Sequence, residues 1–216
     1  MEPKTGLALT LAVLSGIALS ATSAMAAKDH FDRDALGKKW VVTDGSLTIV
    51  NDHLQGSDLG LGYFKKSSDD TTVSATVTLS GSGLQYGAVA AGDVATHNNA
   101  FVKIQSDDGV SFDNGGFYVG DNGSVLFFGL DSPVPSPALL TVSMCGSIAK
   151  MTIKSSAGTQ KYSYDYGTDF GTGGGLGTYG PIALDDYTSK PAKHCEADKD
   201  AKVITHSTGT DRSLSK

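Results

Sequence analysis

Glutamate is almost missing from this chain: of 23 acidic residues only Glu2 and Glu196 are Glu, one near each end, so carboxylate chemistry in the body falls to aspartate. Tryptophan occurs once and cysteine twice. The 17 basic residues are scattered singly or in pairs, the net charge is −6, and no basic stripe interleaves with aromatics. Such a surface repels phosphate backbones, so nucleic acid is not an expected partner. No run has helical periodicity of useful length. The longest apolar run, Leu7 to Leu19, is shorter than the roughly 20 residues a permanent membrane helix needs.

That run follows Lys4 and precedes the small residues Ala21 to Ala27, which include Ala24-Met25-Ala26. The order of basic, apolar and small segments is that of a secretory signal peptide, with cleavage expected after Ala26 or Ala27. The alternative is an uncleaved anchor. Residues 1–26 are therefore assigned to the signal peptide, 27–190 to one β-sandwich domain and 191–216 to a polar tail. The expected location is extracytoplasmic, secreted or periplasmic, with no stable membrane span after cleavage. About 190 remaining residues suffice for one sizeable core.

What is abundant is glycine, 27 residues, together with β-branched runs, and this favours strands and tight turns. From Thr72 to Leu79, Val73, Ala75, Val77 and Leu79 alternate with Thr72, Ser74, Thr76 and Thr78, the period of a half-buried strand. Similar runs occur at 84–91, 101–105, 116–119, 125–128, 139–144 and 149–154. Asp108-Gly109, Asn114-Gly115 and Asn122-Gly123 suit two-residue hairpin turns, so consecutive strands are expected to be antiparallel neighbours. Pro133, Pro135 and Pro137 mark an extended connection. The tail is expected to be mostly mobile, with a short edge strand near Val203 as the minor alternative. In an oxidising compartment Cys145 and Cys195 are expected to form one disulfide; two free thiols are the alternative.

Two segments carry a resemblance. Phe31-Asp32-Arg33-Asp34-Ala35-Leu36-Gly37-Lys38-Lys39-Trp40, followed by Gly45 to Gly56, resembles the opening of concanavalin A-like jelly-roll domains of the laminin G-like kind. Gly173 to Gly180, followed by Ala183-Leu184-Asp185-Asp186-Tyr187, is similar to that family's closing strand pair. The resemblance implies an all-β, two-sheet antiparallel jelly-roll sandwich, with Trp40 buried in a seam where the chain's two ends meet. It also implies a structural Ca²⁺ held by Asp185 with Asp32 or the carbonyl of Gly56, since hard oxygen donors suit that ion. Otherwise Asp185 caps backbone amides.

The superfold hosts lectins, glycosidases, lyases and adhesion modules, so it does not decide function. Glycosidases need an acid and a second carboxylate flanking one bond. Here the body has no Glu, and the pairs Asp69-Asp70, Asp107-Asp108 and Asp185-Asp186 are adjacent residues, which on a strand face opposite ways. The five histidines, at 30, 53, 97, 194 and 206, show no metal-ligand spacing and read as surface or loop residues. No catalytic residue is assigned. Tyr86, Phe101, Lys103 and Gln105 lie on the middle strands that the resemblance places on the concave sheet, and they are the candidate ligand-binding residues. Tyr162, Tyr164 and Tyr166 share one face, which reads equally as a sugar-stacking row or as core. The leading reading is a non-catalytic module binding carbohydrate or a cell-envelope component. An envelope structural or protein-interaction module and a glycoside hydrolase or polysaccharide lyase are the alternatives.

Overall fold

The computed structural model describes residues 26–56, 58–65, 71–120, 125–170, 173–192, 198–205 and 210–211. Residues 1–25, Asp69-Asp70, Asn122-Gly123, His194, Cys195 and His206 lie outside the described residues, so the expectations that rest on them are not addressed. Among the described residues no helix is long and apolar enough to cross a membrane.

Strand follows strand. The first five are β1 (Ala27–Asp29), β2 (Trp40–Gly45), β3 (Thr48–Val50), β4 (His53–Gln55) and β5 (Gly60–Phe64). Then come β6 (Thr71–Leu79), β7 (Gln85–Asp93), a 3-10 turn at Val94–Thr96, β8 (Asn98–Ser106), β9 (Ser111–Val119) and β10 (Val125–Pro135). The remainder are β11 (Ala138–Cys145), β12 (Ile148–Ser155), β13 (Gly158–Asp165), β14 (Gly174–Tyr179), β15 (Ile182–Pro191), β16 (Lys202–Val203) and β17 (Thr210–Asp211). Two sheets result, in the orders β16-β13-β12-β11-β6-β15-β4-β3 and β17-β10-β9-β8-β7-β14-β5-β2, with β1 also paired to β15. All pairings are antiparallel except β13 with β16. This is a two-sheet jelly-roll sandwich.

The alternation read from the sequence governs β6, where Val73, Ala75 and Val77 are fully buried between the sheets. Every other alternating run also lies in a strand, from β7 to β12. The two chain ends meet as expected: Ala27 pairs with Ser189 and Asp29 with Tyr187. Behind that seam Trp40 packs against Phe31, Phe64 and Tyr187 with ring centroids 5.7, 5.4 and 4.8 Å away. Its indole N–H donates to Asp29 Oδ2 at 2.7 Å.

Three expectations change. Asn114-Gly115 is not a turn but mid-strand in β9, opposite Gln105 and Ile104. Glycine is needed there because a Cβ would come within 2.7 Å of the Phe128 ring. The proline segment is not a free connection either, since Val134 and Pro135 pair with Phe112 and Ser111 after a bulge in β10. The tail contributes paired structure: Lys202 and Val203 lie beside Tyr162 and Ser163, Ile204 is buried, and Thr210 pairs with Phe127.

Candidate functional site

The side-chain period of two divides the middle of the eight-stranded sheet. Val89, Ala91, Val102, Ile104, Phe117 and Leu176 point into the sandwich. Their neighbours Ala88, Ala90, Phe101 and Tyr118 point to the outer face, where they form a second apolar cluster with Leu61 and Val94, flanked by Tyr63, Tyr86 and Phe127. Lys103 alternates with Val102 and Ile104 and rises from the centre of that outer face.

Its ammonium is ringed. Lys103 Nζ lies 4.2 Å from the Tyr86 ring centroid, 4.9 Å from Tyr118 and 5.4 Å from Phe127, distances at which ring quadrupoles attract a cation. Register explains the assembly. Phe101 on β8 lies opposite Tyr118 on β9, and Lys103 lies opposite Gly116. Glycine at 116 leaves room for the Tyr118 ring, whose Cε2 would stand 2.4 Å from a Cβ there. Gly177 does the same for Phe101, with 2.6 Å to its Cζ. Tyr86 stacks nearly parallel on Tyr179 at 5.3 Å across β7 and β14.

Only 6% of Lys103 is exposed. Burial pushes its pKa down to about 8, against a smaller upward pull from Asp107. Burial likewise raises that of Tyr86 to about 12, helped by Tyr179 and by the charges of Asp58 and Asp44, so its hydroxyl stays a neutral donor. From Lys103 a polar chain runs along the face. Nζ donates to Gln105 Oε1 at 2.8 Å, Gln105 Nε2 donates to Asp107 Oδ1 at 2.7 Å, and Asn114 Nδ2 donates to Asp107 Oδ2 at 3.4 Å. The pocket bounded by Tyr86, Phe101, Lys103, Tyr118, Leu61 and Asp44 holds only about 60 Å³. That is well below the ~300–1,000 Å³ of an enclosing small-molecule site, so the face can offer ring surfaces and a few hydrogen-bonding groups rather than engulf a ligand.

The four binding candidates from the sequence, Tyr86, Phe101, Lys103 and Gln105, thus stand together. Tyr118, Phe127, Tyr179 and Asp44 were missed; only the strand register brings them in. The tyrosine row resolves to core. Tyr162 is fully buried, accepts from the Asp131 N–H at 2.9 Å and donates to Gln160 Oε1 at 2.6 Å. Tyr164 and Tyr166 pack against Phe117, with centroids 5.6 and 6.4 Å away.

The expected calcium ligands are only partly assembled. Asp185 is held above its ordinary value of 3.8 by burial and by the nearby Asp186 and Asp32, against the opposing Asp186 N–H and His53. Its Oδ1 accepts that Asp186 N–H at 2.7 Å. Gly56 lies at the other end of the β3–β4 hairpin, where a Cβ would meet Thr178 Oγ1 at 2.2 Å and the Ser46 carbonyl at 3.2 Å. Among the described residues no group of three or more His, Cys, Asp or Glu is placed to hold a metal ion. A calcium cage takes six to eight oxygens, so Asp185 and Asp32 would need carbonyls and water beside them to hold the ion. Cys145 closes β11, and no cysteine among the described residues is a free thiol; Cys195, its expected partner, lies outside them.

No family model matches the chain, and no curated protein matches it in sequence. Solved structures do match in shape. A carbohydrate-binding module, CBM66, from Bacillus subtilis is similar with a TM-score of 0.52 and 15% identity over 70% of this chain and 95% of its own. A Bacillus subtilis protein of unknown function with a galectin-like fold gives 0.56 at 10% identity, over 76% and 94%. A prokaryotic β-1,3-1,4-glucanase (lichenase) derived from a mouse hindgut metagenome gives 0.53 at 9% identity, over 77% and 99%. With its strand order and these likenesses together, the chain has the concanavalin A-like jelly-roll fold.

Proposed function

We propose that this protein is a non-catalytic, extracytoplasmic β-sandwich that binds carbohydrate on the outer face of its eight-stranded sheet, at Tyr86, Phe101, Lys103 and Gln105. The observation that carries the reading is the Lys103 ammonium, ringed by Tyr86, Tyr118 and Phe127 and continued by the Gln105–Asp107–Asn114 hydrogen-bond chain. Saccharide recognition draws on ring faces for the apolar side of a pyranose and on fixed donors and acceptors for its hydroxyls. Both are present side by side here. The fold is shared with a carbohydrate-binding module and with a glucanase. Against hydrolysis stand the absence of Glu from the body and a pocket whose lining brings in one carboxylate, Asp44, where a glycosidase pairs two. The amino-terminal basic, apolar and small segments support export.

A glycan array probed with the exported protein, its Tyr86→Ala variant and its Gln105→Ala variant tests the proposal. Binding to a defined glycan is expected, with affinity at least about tenfold weaker in Tyr86→Ala, because a stacking ring contributes on the order of 1 kcal/mol beyond its buried area. EDTA is expected to leave binding unchanged. Sugar release from any bound glycan, or equal binding by the Tyr86→Ala variant, would overturn it.

A further inference from the structure

A second site of different chemistry shares no lining residue with the outer-face pocket. Beside the seam of chain ends, Lys28, Arg33, Lys38 and Lys39 line a cleft of about 340 Å³ together with Gly37 and Asp29. In a chain of net charge −6 this lining gathers four cations and one carboxylate, with the exposed Asp32 and Asp34 flanking Arg33 and the Asp32 charge acting on it. The one acid in the lining is already neutralised inside the fold. Asp29 accepts from the Phe31 N–H, from both terminal nitrogens of Arg33 and from the Trp40 indole. No ion pair among the described residues engages Lys28, Lys38 or Lys39.

Rigid and adaptable parts combine. Arg33 is fixed by Asp29, by the Ala35 carbonyl, which accepts from its Nε at 3.0 Å, and by the Phe31 ring 5.6 Å away. The lysines are exposed and can close on a ligand. Gly37 lies beside the guanidinium, where a Cβ would make ordinary contact 3.6 Å from Arg33 Nε. The volume lies in the range of a small-molecule site, ~300–1,000 Å³, so it has room for more than a bare ion.

We propose that this cleft binds a phosphate- or sulfate-bearing ligand of about monosaccharide size, its oxyanion held among Lys28, Lys38 and Lys39 with the Asp29-paired Arg33 forming the wall. A multiply charged tetrahedral oxyanion offers several acceptors to several ammonium donors at once, which a neutral sugar cannot do. The site is separate from the outer-face surface and stands whether or not that surface binds glycan.

The test titrates the exported protein with glucose 6-phosphate, inorganic phosphate, inorganic sulfate and, as a neutral control, glucose, followed by calorimetry and by amide chemical shifts. The oxyanion ligands are expected to bind, with shifts at residues 28–39, and glucose to give none there. Affinity should fall at least about tenfold in the Lys38→Gln/Lys39→Gln variant, the loss expected from a single charged hydrogen bond. Both lysines are exposed, so the variant should keep the wild-type melting temperature. Tyr86→Ala should bind the phosphate ligands as wild type does. Sedimentation with phosphatidylglycerol vesicles separates the sources: variant-sensitive capture there assigns a lipid headgroup, and binding in solution alone assigns a soluble ester. The proposal is overturned if neither the soluble oxyanions nor the vesicles bind better than glucose, if the double lysine variant binds equally well, or if the shifts fall on the outer face instead.

Discussion

Replacing Lys103 by methionine should make the protein more stable at neutral pH and remove part of its pH dependence. In the folded state the Lys103 pKa is lowered from 10.5 to about 8, chiefly by burial. That difference corresponds to about 3 kcal/mol of destabilisation at pH 7, because the ammonium must be desolvated on folding. Between the two values the unfolded chain binds more protons than the folded one, so this contribution to stability rises with pH. From pH 7 to pH 9 it should recover by roughly 1 kcal/mol. Urea unfolding of wild type and Lys103→Met at both pH values isolates the term, since every other titration is common to the two proteins. The upper pH stays below the tyrosines, whose raised values would otherwise add losses of their own. Methionine fills similar volume and keeps the contact with the surrounding rings. A variant no more stable than wild type at pH 7, with the same change on going to pH 9, would show that the ammonium is solvated and the ring of aromatics open.

Other outcomes follow from the seams. Asp29→Ala should cost about 3 kcal/mol in chemical unfolding, because Arg33 and the Trp40 indole lose their acceptor in a buried setting. The Asp29 carboxyl is desolvated by burial, but Arg33, the Trp40 indole and the Phe31 N–H outweigh this and hold it below its ordinary 3.8. Its stabilisation is thus complete above that value and lost as pH falls below it, a loss that an Asp29→Asn variant should lack in acid-unfolding curves. Gly177→Ala puts a methyl 2.6 Å from the Phe101 ring; it should lower stability by roughly 1–2 kcal/mol and weaken glycan binding, and an unchanged melting temperature would mean that Phe101 does not lie there. If Cys145 joins Cys195, the loop of about fifty residues makes Cys195→Ser or added reductant cost roughly 3–4 kcal/mol in urea unfolding.

The strands were legible because alternation follows directly from one buried face, as Val73, Ala75 and Val77 show. Asn114-Gly115 misled because the dipeptide signals positive φ, whereas here glycine is required by the ring of Phe128, a tertiary contact with no local signature. The tyrosine row had the right period, but which way it pointed depended on the phenylalanines of β9 and β10 in the other sheet. The four residues singled out in the sequence lie on β7 and β8, whereas Tyr118 and Phe127 come beside them only once β9 and β10 are set in register. Tyr118 neighbours the core residue Phe117, so in sequence the two rings look alike.

How the sheets end bears on what kind of partner the protein can take. A strand-adding partner needs a long, flat, open edge. The sheet containing β6 ends in β16 and β3, of two and three residues, and the other sheet ends at one side in the two-residue β17. Two edges remain: β1, of three residues, and β2, which has six but carries a bulge between Val42 and Asp44 that turns its hydrogen-bonding groups out of line. On one side the tail closes part of each edge: β16 pairs with Tyr162 and Ser163 of β13, β17 pairs with Leu126 and Phe127 of β10, and Lys202 binds Asp131 at 2.6 Å between them. With the end strands short or bulged and the edges of β13 and β10 partly paired by the tail, the described residues leave no long continuous edge for main-chain pairing. Recognition then falls to side chains on the faces, and the outer face of the eight-stranded sheet is where aromatic rings and a polar chain converge. An envelope protein docking by strand addition should therefore fail to compete with a bound glycan for this molecule, and a cross-linking experiment that placed a partner along β2 or β3 would refute that reasoning.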